Sequence, residues 1–172
     1  MARDRNRLLN FQAALGERLR LAAAQPKRDS RLAVVVGDRG MLLELDQIAE
    51  VAPVTPITSV PFTKSWFLGV ANIRGTLYAV SDLASWLLGK KSGVRDSSRV
   101  VLLGQRLARL RTAVLVDRVV GLRLLDDMER GSDDTLAEWE LAVWKDRDGM
   151  AWYEVDLGKL VANDGFLQVV QN

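Results

Sequence analysis

Neither histidine nor cysteine occurs in this chain. That removes the commonest general base, the commonest metal ligand, and all thiolate and disulfide chemistry. Ser65 and Ser81 have no histidine to activate them, so a serine triad is excluded. Carboxylates remain. Asp82 with Asp117 is the pair that could do acid–base work. However, Asp82 precedes a short helical run and suits an N-cap, and Asp117 suits a turn. The stretch 126–140 holds Asp126, Asp127, Glu129, Asp133, Asp134, Glu138 and Glu140 against Arg130 alone. It lacks the alternating ligands and central glycine of a calcium loop and reads as a solvated acidic loop. Gly37–Gly40 and Gly69–Gly75 lack the Lys-Ser/Thr pair of a phosphate loop. These patterns call for no catalytic residue, no metal and no cofactor.

Arg74 stands out instead. It lies in Asn72-Ile73-Arg74-Gly75, a polar break between two apolar runs. A buried or half-buried guanidinium there could fix the turn and a protein interface, because its planar fork binds a carboxylate bidentately. Glu50, among Ile48 and Val51, is the expected partner, since a charge amid apolar neighbours seeks pairing. The plainer reading is a surface arginine in a turn. Arg99, Arg106, Arg109 and Arg111 cluster in the second half. Small barrels bind nucleic acid with basic faces and aromatic platforms. A nucleic-acid binder using these residues and the basic N-terminus is therefore the alternative function. Trp66, Phe67, Trp86, Trp139, Trp144 and Trp152 do not interleave with the arginines, which argues against it.

The elements that must position Arg74 run from Trp66 to Gly89. The pattern predicts a strand to Ala71, a turn at 72–75, a strand over Thr76–Val80, and a helix over Leu83–Leu88. Asp82 caps that helix and Gly89 ends it. Upstream, Leu32–Val36 and Met41–Leu45 flank Gly37-Asp38-Arg39-Gly40 as a hairpin. Asp46–Val51 reads as a helical turn, and Pro53, Pro56 and Pro61 mark edge strands and loops. Downstream of the polar connection Lys90–Ser98, strands are expected at Val100–Leu103 and Leu110–Val116. Another follows the turn at Asp117. Leu141–Trp144 and Met150–Val155 form a late hairpin, and Asp156 caps a helix through Val161. Residues 8–24 carry Leu8, Phe11, Leu15, Leu19 and Ala22 at helical spacing, and Pro26 stops the run. Such a helix could dock on its own domain, on a partner, or on a membrane surface or nucleic acid.

The two halves rhyme. Gly37-Asp38-Arg39 is answered by Gly104-Gln105-Arg106, and Val80-Ser81-Asp82-Leu83 by Val155-Asp156-Leu157. Many short strands with turns between them point to a mainly β fold of two small barrels with a groove between. The first barrel is expected at roughly 32–90 and the second at roughly 98–164. A hydrophobic share of 48% supports a real core. Residues 1–31 hold eight Lys/Arg and three Asp/Glu, a net of +5, so the remainder is at −3. No apolar run approaches the ~20 residues of a membrane span, and the N-terminus lacks a secretory h-region, which favours the cytoplasm.

Trp66-Phe-Leu-Gly-Val-Ala-Asn-Ile-Arg-Gly75, followed by Tyr78-Ala-Val-Ser-Asp-Leu83, resembles the signature of the CheW-like adaptor family. Asp117-Arg-Val-Val-Gly121 is similar to its second motif, and Glu50 stands where the family often carries a glutamate. The resemblance runs from about 32 to 164. Many relatives have a proline near Ala79, and this chain does not. The N-terminal extension, Lys64-Ser-Trp-Phe67 and Gly165-Phe-Leu-Gln-Val-Val170 are most similar to the family's type IV pilus branch. The resemblance implies two five-stranded SH3-like barrels with short helices, an N-terminal helical extension over 1–31 and a tail over 165–172. A terminal strand is free to cross between the barrels. It also implies a non-catalytic adaptor without cofactor. The partners would be the signalling tip of a methyl-accepting chemoreceptor and the regulatory domain of a CheA-type histidine kinase. No DNA binding or membrane insertion is expected, and the location would be cytoplasmic at receptor arrays. Val70, Asn72, Ile73, Arg74 and Gly75 would form the receptor or kinase interface. The receptor's helical tip would lie in the groove between barrels, with Arg74 and Gly75 helping to form that region.

Overall fold

The computed structural model describes residues 29–89, 93–107 and 111–171. The expected helix over 8–24 lies outside the described residues. Twelve strands are described, in two sheets of six. In chain order they are β1 (Ser30–Val36), β2 (Arg39–Glu44), β3 (Ile48–Pro53), β4 (Ile57–Thr58), β5 (Phe67–Ile73) and β6 (Thr76–Asp82). Then follow helix α1 (Leu83–Leu88), β7 (Arg99–Leu103), β8 (Thr112–Val116) and β9 (Arg118–Leu124). The chain continues through β10 (Glu129–Arg130), β11 (Glu140–Lys145), β12 (Ala151–Val155), α2 (Leu157–Ala162) and α3 (Asp164–Leu167).

One sheet runs β10-β11-β12-β2-β1-β9 and the other β3-β7-β8-β6-β5-β4. Adding six to each strand number maps one order onto the other, with β7 and β8 passing into β1 and β2. The internal repeat is therefore present, but each repeat lends its first two strands to the other's sheet. This corrects the partition at 32–90 and 98–164. Residues 48–116 build one sheet as a contiguous insert, and β1–β2 joins β9–β12 from across the chain. The crossover was not readable from neighbouring strands, because consecutive strands usually pair. Here the 3₁₀ turn Leu45–Gln47 carries the chain from β2 in one sheet to β3 in the other. Each sheet also has six strands where five were expected. The extra one is a two-residue edge strand, β4 or β10.

The burial pattern explains why these four strands sit at the centre. Leu32, Val34, Val36, Met41 and Leu43 face the same core cluster as Val101, Leu103, Val114 and Val116. The alternate residues turn the other way. Ala33 and Leu42 pack with Leu125 and Trp152. Val100, Leu102, Ala113 and Leu115 pack with Ala52, Ala71, Ile73 and Val80. Strands buried on both faces read as continuous apolar runs, as Leu32–Val36 and Val100–Leu103 do.

The expected helical turn at 46–51 is shorter, Leu45–Gln47, and gives way to edge strand β3 ending at Pro53. The C-terminal residues are not a free tail. Phe166 is buried in the central cluster, and Lys64 N–H donates to the Val169 carbonyl at 2.8 Å. The acidic stretch is also not all solvated. Glu140 opens β11, is buried, and pairs with Arg39 at 2.9 Å. No helix among the described residues is long and apolar enough to cross a membrane.

Candidate protein-interaction site

The β5–β6 hairpin closes through two residues, Arg74 and Gly75, with Ile73 opposite Thr76. Both have positive φ, +52° and +83°. That is the type I′ geometry that matches the twist of paired strands, normally filled by Asn-Gly. Asn72 supports it from one position back, where its Oδ1 accepts the Gly75 N–H at 2.8 Å. An arginine in the left-handed region carries strain of order 1–3 kcal/mol, which the hairpin must offset elsewhere. Ile73 does part of this. It is buried in the cluster of the β3–β8 sheet, so it anchors the turn from below.

Arg74 Nη2 lies 3.0 Å from Glu50 Oε1 on β3. The arginine side chain is 78% exposed and the glutamate 31%. The guanidinium is therefore not buried, contrary to the sequence-based expectation. A pair this exposed contributes about 0–1 kcal/mol. Around it, Asn72 and Leu77 face each other across the hairpin, both exposed, with Leu77 at 63%. Val70 is half-buried and Gly75 exposed. The tip is thus an outward-facing patch of one cation, one carboxylate and an aliphatic side chain.

A second feature lies at the other end of the same hairpin. Phe67, Ala79, Leu107, Val161, Phe166 and Val169 line a largely apolar groove of about 770 Å³. One wall comes from β5, β6 and β8, the other from α2, α3 and the following segment. The groove therefore lies between the two sheets' elements. Arg74 and Gly75 do not line it, since they occupy the hairpin tip and Phe67 and Ser81 its base. Beside the groove, Phe62 is 83% exposed and held at φ +60°. The bridge Thr63–Val170 sets it next to the chain end. Periodicity marks neither Phe62 nor Phe166, because Phe62 sits in an irregular segment and Phe166 in α3, a helix of four residues.

Asp82 and Asp156 cap α1 and α2, accepting from Ser85 N–H and Lys159 N–H at 3.1 Å each. Asp117 sits where the chain crosses back between sheets. Its carboxylate accepts the Gly37 N–H at 2.5 Å, and its own N–H donates to the Val35 carbonyl at 2.9 Å. Both members of the conceivable acid–base pair are thus held by backbone amides. Arg99 donates to the carbonyls of Asp96 and Ser98, and Arg109 lies outside the described residues. Trp66 stacks on Phe166 and Trp86 packs on Trp139, so these rings meet one another and form no platform beside the arginines.

One ionic network, half-buried around Glu154, has no counterpart in the sequence pattern. Arg31 donates to Glu154 at 2.9 Å and to Asp29 at 2.6 Å, and Trp144 Nε1 donates to the other Glu154 oxygen at 2.9 Å. Burial pulls the Arg31 guanidinium down, but its hydrogen bonds to Asp29 and Glu154 outweigh that and leave it above its ordinary value. Burial pushes the neighbouring Glu44 carboxyl up, against the pull of Arg31. The network's central pair, Arg31 and Glu154, lies 123 residues apart in sequence and leaves no local signal.

A model of the CheW-like domain matches residues 30–164. The chain belongs to the CheW-like domain family. It is 29% identical over 110 residues to Protein PilI of Pseudomonas aeruginosa, covering 60% of this chain and 61% of that protein. It is 29% identical over 96 residues to a probable chemotaxis protein CheW of Rhizobium etli, covering 56% and 61%. The matched stretch therefore spans about three fifths of these curated relatives. The scaffolding protein TtCheW from Thermoanaerobacter tengcongensis superposes with a TM-score of 0.68 at 20% identity, over 83% of this chain and 93% of that one. That likeness establishes the fold as the two-subdomain, SH3-like β arrangement of a CheW-like protein.

Proposed function

We infer that this CheW-like protein is a non-catalytic adaptor coupling a methyl-accepting chemoreceptor to a CheA-type histidine kinase, in a pathway controlling type IV pili and twitching motility. The observation that carries this reading is the hairpin tip. Arg74 is held at φ +52° by the two-residue turn and stands 78% exposed beside Leu77, paired with Glu50. Backbone strain of this kind clusters at functional sites. Val70, Asn72, Arg74 and Gly75, with Glu50, form the face offered to the kinase regulatory domain. Ile73 fixes that face from below. The apolar groove beside Phe67 and Phe166 takes the receptor's helical tip, the mode by which an amphipathic helix enters a groove. Coupling is conformational, since binding at the two surfaces biases the kinase between states according to its differential affinity for them. The pilus assignment is supported by the PilI likeness. In the cell the protein sits in the cytoplasm at receptor arrays.

Reconstituting receptor signalling fragments on vesicles with a CheA-type kinase tests this directly. Kinase phosphorylation should respond to receptor only when this protein is added. Equal receptor control without it would overturn the reading.

A further inference from the structure

We propose that residues 8–24 of this same chain occupy the apolar groove, so that the adaptor carries an internal competitor for it. Three observations point to that occupant. The first is pattern. Leu8, Phe11, Leu15 and Leu19 fall on one helical stripe, and the groove offers Phe67, Leu107, Val161 and Phe166 over about 770 Å³. An apolar stripe and an apolar cleft are each costly to leave in water.

The second is reach. The described chain begins at Asp29 and enters β1, where Arg31 lies opposite Glu44 of β2. The neighbouring Leu43 lies opposite Val155 of β12, and α2 starts just beyond, at Leu157. Two strand spacings are about 10 Å, and Val161 lies about 6 Å along α2. Residues 25–29, extended, span up to about 17 Å. A helix ending near Ala24 can therefore lie in the groove without unpairing β1.

The third is charge. Residues 1–31 carry a net of +5, mostly from Arg3, Arg5, Arg7, Lys27 and Arg28 on either side of the apolar stripe, and the rest of the chain −3, which draws the extension as a whole towards its own domain. The tether keeps it at high effective concentration, which favours it over a free competitor of equal affinity. The regulatory consequence, that a receptor tip must displace this segment, rests on the function inferred above. Occupancy of the groove does not.

The chain has no cysteine, so Ala162→Cys gives a single thiol at the groove wall. Its alkylation rate is measured in the full chain at low micromolar concentration, without any partner. The same rate is measured with Leu15→Glu and Leu19→Glu added. The proposal expects protection at least tenfold in the first protein and its loss in the second, with circular dichroism and thermal unfolding of the β domain unchanged. A second pair, Leu15→Cys with Ala162→Cys, should close a disulfide within one chain under mild oxidation. Equal alkylation rates with no intrachain disulfide would overturn the proposal. Protection that grows with protein concentration would also overturn it, by assigning the groove to a second copy. Kinase coupling could fail in the reconstitution while thiol protection holds, or the reverse, so the two readings fall separately.

Discussion

Arg74 Nη2 lies 3.0 Å from Glu50 Oε1, joining the tip of the β5–β6 hairpin to edge strand β3. The pair is exposed, and the arginine sits at φ +52°. Its removal and its backbone therefore pull stability in opposite directions. Losing the ion pair costs about 0–1 kcal/mol. Replacing arginine by a residue that accepts the left-handed region recovers part of about 1–3 kcal/mol. Arg74→Asn should leave thermal stability unchanged or raised, while weakening partner binding. A fall in stability of more than about 1 kcal/mol, measured by denaturant unfolding, would make Arg74 a structural residue instead.

Gly69 makes the opposite case in the same hairpin. It has φ +127°, and a Cβ there would overlap the Thr58 carbonyl of the neighbouring strand β4. No flexible side chain can yield. Gly69→Ala should cost about 3 kcal/mol or more, read as a large drop in denaturation midpoint. A loss below about 1 kcal/mol would mean that β4 moves freely.

Buried Glu154 holds two half-buried partners at once, the Arg31 guanidinium and the Trp144 indole. Glu154→Ala should destabilise by about 1–3 kcal/mol, because it removes the acceptor of the Trp144 indole and leaves the Arg31 guanidinium with Asp29 and the more distant Glu44. Glu154→Gln keeps an acceptor for Trp144 and should lose less. Equal losses in the two variants would show that packing, not the charge, sets the cost.

The acid limb of stability should depend on Asp146. Its carboxyl is held below the ordinary range first by the Trp152 indole, then by the Met150 and Asp148 amides. A depressed carboxyl contributes stability that is present above its unfolded value and lost as pH falls through its folded one. Thermal unfolding of wild type should therefore decline as pH drops below about 4, and Asp146→Asn should flatten that limb. Parallel curves would place the acid sensitivity elsewhere.

The swapped sheets predict how the chain divides. Cut within 90–92, the fragments 29–89 and 93–171 each lack strands that the other supplies. Neither should show cooperative unfolding alone, and mixing should restore it. Independent folding of both fragments would contradict the exchange of β1–β2 and β7–β8.

Much of this architecture was legible. The hairpins at 30–44, 67–82 and 140–155 follow from turn residues between apolar runs, two residues in the first two and residues 146–150 in the third, and both aspartate caps follow from helix-start chemistry. The turn at Arg74–Gly75 and its Glu50 partner could be named because the residue types are unusual where they stand. Three things stayed hidden for physical reasons. Strand β1 alternates between two cores, so its run of Leu32–Val36 is apolar on both faces and does not say which sheet it joins. The exposure of Arg74 depends on how far the hairpin tip projects, which spacing does not encode. The groove is assembled from Phe67, Leu107 and Phe166, about 100 residues apart end to end, and only the sheet exchange brings them together.

The most direct test is a binding titration of the regulatory domain of a CheA-type kinase against wild type and Arg74→Ala. The account predicts micromolar or tighter binding by wild type and at least a tenfold loss in the variant, about 1.4 kcal/mol, with both proteins equally folded by circular dichroism. Equal affinity in the two folded proteins, or no binding by wild type to such kinases, would contradict it.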